Sequence, residues 1–455
     1  MTLIQYENIQ KALGVDIAIS KRMAAKILLW SRLYLDEAPW LKDDIKSLSL
    51  PAAISTEMTR LVTMELKYNM TGGSLASFLS GQFQKVYADL PRYVEYGCST
   101  GGLVFKPYLE GDKIAVDYVQ AGNFFPTAFN SSGQITACVF PEFKQTGRKL
   151  YTRLEYHKYQ DNVYSIVNKA FVSNSAAITM DNIYSLGSEI PLSEVDGWAD
   201  LEPYVEFYHA TGSLFSYFKV PIANNIDTNS PLGVSCYARA VNQIRDADQQ
   251  YGATLWEYRS KETAIQAGDE FFQKNRNGEI VLPKGKERIY HALGDVTGKD
   301  GAPFFNAYSP DIRDQSFFNG YNRIIQKVEF NCGLAYGTLS DPQTVDKTAE
   351  EIKASKQRSY ATVKSIQNSL EAALKTLLDA MAAWVEIGGL PCKGGYDVAF
   401  DWDDSIVVDK DKEREQDRKD VSMMIMRPEE YRAKYYGETL EQAAKNLPEP
   451  AAVEE

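Results

Sequence analysis

Histidine is nearly absent from this chain: His157, His209 and His291 are its three, and no two stand at i, i+3 or i, i+4 spacing. A metal site built on paired imidazoles is therefore not expected, and each is read as a core or surface polar residue. Cysteine is scarce too. Cys98, Cys138, Cys236, Cys332 and Cys392 are odd in number, scattered and without CxxC spacing, which predicts reduced thiols in a cytoplasm rather than a disulfide framework. No apolar run approaches the roughly eighteen residues that a membrane-spanning helix needs. The opening MTLIQYENIQ lacks the basic-then-apolar order of a secretory leader.

Basic excess is missing as well. Lys and Arg number 49 against 61 Asp and Glu, a formal net charge of -12, which argues against a dedicated nucleic-acid binder and against adhesion to anionic membranes. KGKER (284–288) has Gly-Lys but neither the upstream glycine nor the following Ser/Thr of a phosphate loop. GCSTGG (97–102) would need a base and an orienting acid to act as a nucleophile loop, and is read as a helix-to-strand turn. Asp401, Asp403 and Asp404 in DWDD could hold magnesium for a nuclease, but a strand-end turn is the simpler reading. No catalytic residue, metal or cofactor is assigned, and the chain is read as not an enzyme.

What is present is architecture. At 455 residues the chain calls for two to four domains, and 28 tyrosines suit surfaces that meet other surfaces. Residues 1–95 carry apolar residues at helical spacing. In 96–230 the period shortens to strands such as LVFKPYL, IAVDYV and ITACVF, predicting an antiparallel β-rich part. Within 231–260, Ser230 and Pro231 read as an N-cap and first helical residue. Val234, Tyr237, Val241, Ile244, Tyr251, Leu255 and Tyr258 then form one apolar face. A compact segment, 261–309, follows with strand candidates EIVLP and RIYHA. A second helix, 310–333, is expected to start at Ser309-Pro310-Asp311 with Phe317, Tyr321, Ile324 and Val328 on one face. A loop, 334–346, precedes a long helix in 347–390 that is expected to pack along another long helix. Residues 391–409 contain YDVAFDW, expected to return to the β-rich part. Residues 410–455 read as helices broken at Pro428, ending in an acidic tail. The fold class is α+β, with a helical hairpin bracketing a small head.

Several stretches carry a resemblance. They are Trp30 and Trp40 in LLWSRLYLDEAPW, Gly101-Gly102 and Lys106-Pro107 in GGLVFKPYLEGDKIAVDYVQAGNFFPT, and RLEYH (153–157). FKVPIANNIDTNSPLGVS (218–235) and CGLAYGTLSDPQTVDKTAEEIKAS complete the series. In that order, over nearly the whole chain, the sequence resembles the portal proteins of tailed bacteriophages, of the siphophage and prophage type. One departure is Thr348-Ala349-Glu350-Glu351, where the family often has Thr-Ala-Thr-Glu.

The resemblance implies a portal fold: a β-rich wing, a stem of two helices (231–260 and 310–333), a small α/β clip (261–309), a tunnel loop (334–346) and a helical crown. It implies a homo-oligomeric ring, of twelve subunits in the virion, at a capsid vertex and assembled in the host cytoplasm. Double-stranded DNA would pass through it, and the terminase large subunit, a head-completion or adaptor protein, the major capsid protein and a scaffold protein would be its partners, with no membrane. A channel of like charge would let the duplex slide, because DNA held through many phosphates resists being driven. Thr344, Lys347, Lys353 and Lys356 are candidates for transient DNA contact, against a solvated helix face. Lys284, Lys286 and Arg288 are candidates for the docking surface of the clip, against an exposed turn. Val234, Tyr237, Val241, Tyr251, Trp256, Phe317 and Tyr321 are candidates for ring contact. The alternative is a monomeric tail or surface binding protein with a β-domain and helical stalk.

Overall fold

The computed structural model describes residues 6–42, 45–174, 186–208, 210–261, 264–282, 290–294, 304–308, 311–341, 349–402, 410–436 and 438–447. The chain divides into two compact units, residues 1–64 with 68–399 and residues 65–67 with 400–455. It is a mixed α+β protein with several small sheets.

The larger unit opens on α1 (Tyr6–Leu13), α2 (Lys21–Tyr34) and α3 (Leu50–Thr63). Ser20 starts α2 by accepting a hydrogen bond from the Met23 amide. Next come β1 (Leu66–Gly72) and α4 (Ser74–Thr100). Leu79, Phe83, Val86, Leu90 and Val94 recur at helical spacing along α4 and are all buried. The first sheet joins β2 (Gly102–Glu110), β3 (Lys113–Gln120) and β10 (Ser216–Lys219) in the order β10-β2-β3, all antiparallel. The second is a meander of β4 (Phe125–Phe129), β5 (Ile135–Thr146), β6 (Lys149–Gln160) and β7 (Val163–Ser173). Two short strands, β8 (Ser188–Ile190) and β9 (Tyr204–Tyr208), both pair with β7. The β6–β7 turn is Asp161-Asn162, both at positive φ, as a two-residue hairpin requires. Thus the antiparallel reading of this region holds.

The middle of the chain is α5 (Val241–Ser260), β11 (Ala264–Ala267), β12 (Gln273–Lys274), β13 (Ile280–Val281), β14 (Tyr290–Ala292), β15 (Phe305–Tyr308) and α6 (Asp314–Cys332). Strand β11 runs parallel to β14 and antiparallel to β15, and β12 pairs with β13. Then α7 (Ala349–Ile387) spans 39 residues, about 58 Å at 1.5 Å per residue, and leads to β16 (Tyr396–Trp402). Val363, Ile366, Leu370, Ala373, Leu377 and Ala380 recur along it at three- and four-residue spacing and are buried, and Trp384 at the end of the stripe is half-buried.

Four expectations need correction. The helix expected from 231 begins at Val241, because residues 231–240 are claimed by the core instead. The Cys236 amide donates to the Cys98 carbonyl at 2.9 Å, and the Gly233 amide to the Tyr217 hydroxyl at 3.1 Å. The Ser230 hydroxyl accepts from the Leu232 amide, inside a turn. The second helix begins at Asp314, and Ser309-Pro310 lies outside the described residues. Helix α7 lies chiefly against β10 and β2 and also touches α3 and α4, so its regular stripe serves a sheet more than a partner helix. Finally, β16 pairs with β1 and not with the β-rich sheets; β1 itself was hidden in what reads as helical LKYNM.

The smaller unit holds α8 (Lys410–Ser422), α9 (Pro428–Tyr436) and α10 (Leu440–Lys445). Pro428 opens α9, where a missing N–H is harmless. Asp417 of α8 accepts from the Lys434 ammonium at 2.6 Å and the Tyr435 hydroxyl at 2.7 Å on α9. Thr439 and Gln442 form a capping box that starts α10.

Candidate functional site

Helices α5 and α6 pack as an antiparallel pair whose connection is the small β module of 264–308. Near one end the Asn331 amide donates to Gln243 Oε1 at 3.1 Å. Near the other, Arg313 forks onto Glu257, with Nε 3.1 Å from Oε1 and Nη2 3.0 Å from Oε2. That hydrogen bonding holds the Glu257 carboxyl below the usual range. Asp248 ties the pair to the connection between α2 and α3, accepting from Trp40 Nε1 at 2.8 Å and the Leu48 amide at 3.0 Å. Burial pushes this carboxyl up, and the two donors oppose it.

The pair is not apolar on one face alone. Trp256 is 60% exposed and Phe318 53%, and Tyr258 is exposed as well. Of the candidate contact residues, Val241, Tyr251, Phe317 and Tyr321 are half-buried. Val234 and Tyr237 are corrections: both are fully buried, and the Tyr237 hydroxyl donates to the Trp30 carbonyl at 2.7 Å. They serve their own chain's core and offer no surface to a neighbour.

At the α6–α7 junction, Gly333 caps α6 in the left-handed region and the Leu334 amide returns to the Glu329 carbonyl. Glu329 is fully buried and receives the Leu339 amide, the Ser340 amide and the Ser340 hydroxyl. From α7, Ser355 accepts the Tyr336 amide at 2.8 Å, and the Arg358 guanidinium lies over the Phe330 and Tyr336 rings at 4.5 and 5.1 Å. Lys356 is exposed at the start of α7. Thr344 and Lys347 lie outside the described residues, as do Lys284, Lys286 and Arg288 and the side chain of Lys353. The sequence reading missed Glu329, Asn322 and Arg358. A signal existed: Asn322, Gln326 and Glu329 fall at i, i+4 and i+7 among the apolar residues of α6, a polar stripe where a core face is expected.

Where the two sheets meet, a charged cluster borders a cleft of about 710 Å³ whose lining includes Lys106, Asp117, Tyr118, Glu142, Arg153 and Glu155. Glu155 is 2.7 Å from Lys106, 3.1 Å from Arg153 and 2.7 Å from His157 Nε2. Burial raises its carboxyl, but Lys106, His157 and Arg153 together hold it well below the usual range. Burial also lowers the His157 imidazole against the pull of Glu155. A neutral ring with its proton on Nε2 then donates to Glu155 and accepts the Tyr164 hydroxyl on Nδ1 at 2.6 Å. His291 is exposed, and His209 lies outside the described residues. Asp401 is exposed, while Asp403 and Asp404 lie outside them. Among the described residues no group of three or more His, Cys, Asp or Glu is placed to hold a metal, and no helix is long and apolar enough to cross a membrane. No family model matches the chain, and no curated protein matches it.

Proposed function

We propose that this chain is a portal-type subunit that closes with its own copies into a ring around a channel for double-stranded DNA. The observation that carries the reading is the α5/α6 hairpin. Two packed helices bracket a small mixed β module, and large aromatic residues on the pair, Trp256 and Phe318, are left uncovered by their own chain. A surface that pairs with a different face of an identical neighbour generates a ring when its rotation closes, and exposed tryptophan and phenylalanine are suited to anchor such contacts. The acidic balance of the chain, -12 per copy, fits a channel through which a duplex slides without being gripped. In this reading the β module is the outward clip for the packaging motor and adaptor, and exposed Lys356 is a point of transient phosphate contact.

Mass measurement and negative-stain imaging of the purified chain test it. A species many times the 51.1 kDa of one chain, with a central hole in top view, is the expected result. A single 51.1 kDa species at every concentration overturns it and favours a monomeric binding protein.

A further inference from the structure

Glu329 is a carboxylate with no exposed surface, and burying such a group is expensive unless its charge is answered. No cation lies within ion-pair distance of it among the described residues. Instead its oxygens are answered by the loop that follows. Oε1 accepts the Leu339 amide at 2.6 Å and the Ser340 amide at 2.9 Å, and Oε2 accepts the Ser340 hydroxyl at 2.8 Å. Two turns earlier on the same helix face, Asn322 Oδ1 accepts the Asp341 amide at 2.9 Å. Between them Gln326 is 6% exposed, and its Nε2 has no hydrogen-bond partner among the described residues. So one face of α6 is a polar rail, and three successive backbone amides, 339 to 341, dock on it.

We infer that Glu329 and Asn322 form a latch that holds residues 339–341 on α6 and sets how the stem hairpin hands over to α7. The purpose rests on the portal reading, since residues 339–341 would then belong to the channel-facing loop; the latch itself does not. Bonds to an ionised acceptor are about twice as strong as neutral ones, and three of them converge on one side chain. Removing that side chain leaves the half-buried Leu339 amide and the buried Ser340 amide without this acceptor, so the segment is expected to leave α6 rather than stay unpaired. The unpartnered Gln326 amide marks the middle of the rail as unfilled, with donors to spare when the segment shifts. The structure shows the docked arrangement, and release is what loss of these acceptors would produce.

Amide hydrogen exchange on the intact chain tests this with Glu329→Gln, Glu329→Ala and Asn322→Ala. The expected result is a local gain in exchange at Leu339, Ser340 and Asp341 of about tenfold or more, the equivalent of one lost charge-assisted bond. It should be smallest for Glu329→Gln, with exchange in β5–β7 unchanged. Unchanged protection at 339–341 in a folded Glu329→Ala chain overturns the latch. A general rise at all amides with a lowered Tm also overturns it, since Glu329 would then be a plain core residue. Should Glu329→Ala not fold, Asn322→Ala decides alone: no local gain at Asp341 overturns the proposal. The mass of the particle is read in the same samples, so loss of the ring and loss of the latch are told apart.

Discussion

Lys106 of β2 and Glu155 of β6 meet at 2.7 Å, each side chain close to nine-tenths buried, and they stand in two different sheets. The pair is a cross-tie of the β-rich part. Lys106→Met leaves Glu155 with Arg153 and the neutral ring of His157, and breaking a buried pair in this way costs about 3–5 kcal/mol. We expect a lower urea midpoint for Lys106→Met, and partial recovery in Lys106→Met/Glu155→Gln. The pH dependence follows from the depressed Glu155 carboxyl. Its contribution is complete above the unfolded carboxylate pKa of about 4.3 and is lost as pH falls through the lower folded value. Wild type should therefore lose stability in acid more steeply than Glu155→Gln, which urea titrations from neutral to acid pH measure.

Trp256 and Phe318 protrude from the hairpin, so their loss should spare the fold and weaken assembly. For a buried aromatic anchor, truncation costs about 2 kcal/mol or more per contact. In Trp256→Ser and Phe318→Ser we expect the monomer's Tm to hold while the population shifts from large particles to the single chain. Analytical ultracentrifugation over a concentration series reads this directly. Val234→Ala is the contrast: that side chain is fully buried, so it should lower Tm.

Much of this fold is legible in the sequence, and the misses have a common cause. Alternation and turn chemistry mark the antiparallel strands, because side-chain period is a local property. The stripe on α7 marks its buried face correctly, yet the stripe does not say whether a helix or a sheet covers it. SPLGVSCYARA fails for the same reason. Its residues suit a helix, but Val234, Cys236, Tyr237 and Ala240 are buried, with Cys236 bonded to Cys98 and Tyr237 to Trp30, each more than a hundred residues away, and tertiary burial overrides a weak propensity. Strand β1 is short and has its partner over three hundred residues later, which no local window registers. At the candidate site Trp256 is named from the sequence as a contact candidate, whereas Glu329 matters only because a loop ten residues on returns to it.

Arg313 and Glu257 fasten the end of the hairpin nearest the β module. Glu257 is held below its usual pKa by this arginine, so the fastening is complete above the ordinary carboxylate range and fails as pH drops through the folded value. Arg313→Gln should raise amide exchange in the last turn of α5 and the first turn of α6, leaving the Gln243–Asn331 end protected. The gain over wild type should shrink in acid, where the wild-type pair is itself open. A uniform gain along both helices would mean that the pair holds the whole hairpin.

Gly101 and Gly233 press backbone against backbone. Gly101 has φ +97 and a Cβ there would lie 2.6 Å from the Gly233 carbonyl oxygen, while a Cβ on Gly233 would lie 2.2 Å from the Gly101 oxygen. This contact seats the irregular 231–240 segment on the junction of α4 and β2, next to the Cys236 to Cys98 bond. Neither neighbour can yield, because both are main chain. Gly233→Ala tests the close approach, and Gly101→Ala adds the left-handed strain. Each should cost about 2–4 kcal/mol, within the range of severe backbone substitutions, with Gly101→Ala the worse. Gly111→Ala is the control, since φ there is +63 but the space around it is open. It should lose about 1 kcal/mol from strain alone. Equal losses at Gly111 and Gly233 in urea unfolding would show that packing at the 231–240 segment contributes nothing to holding α5 in place.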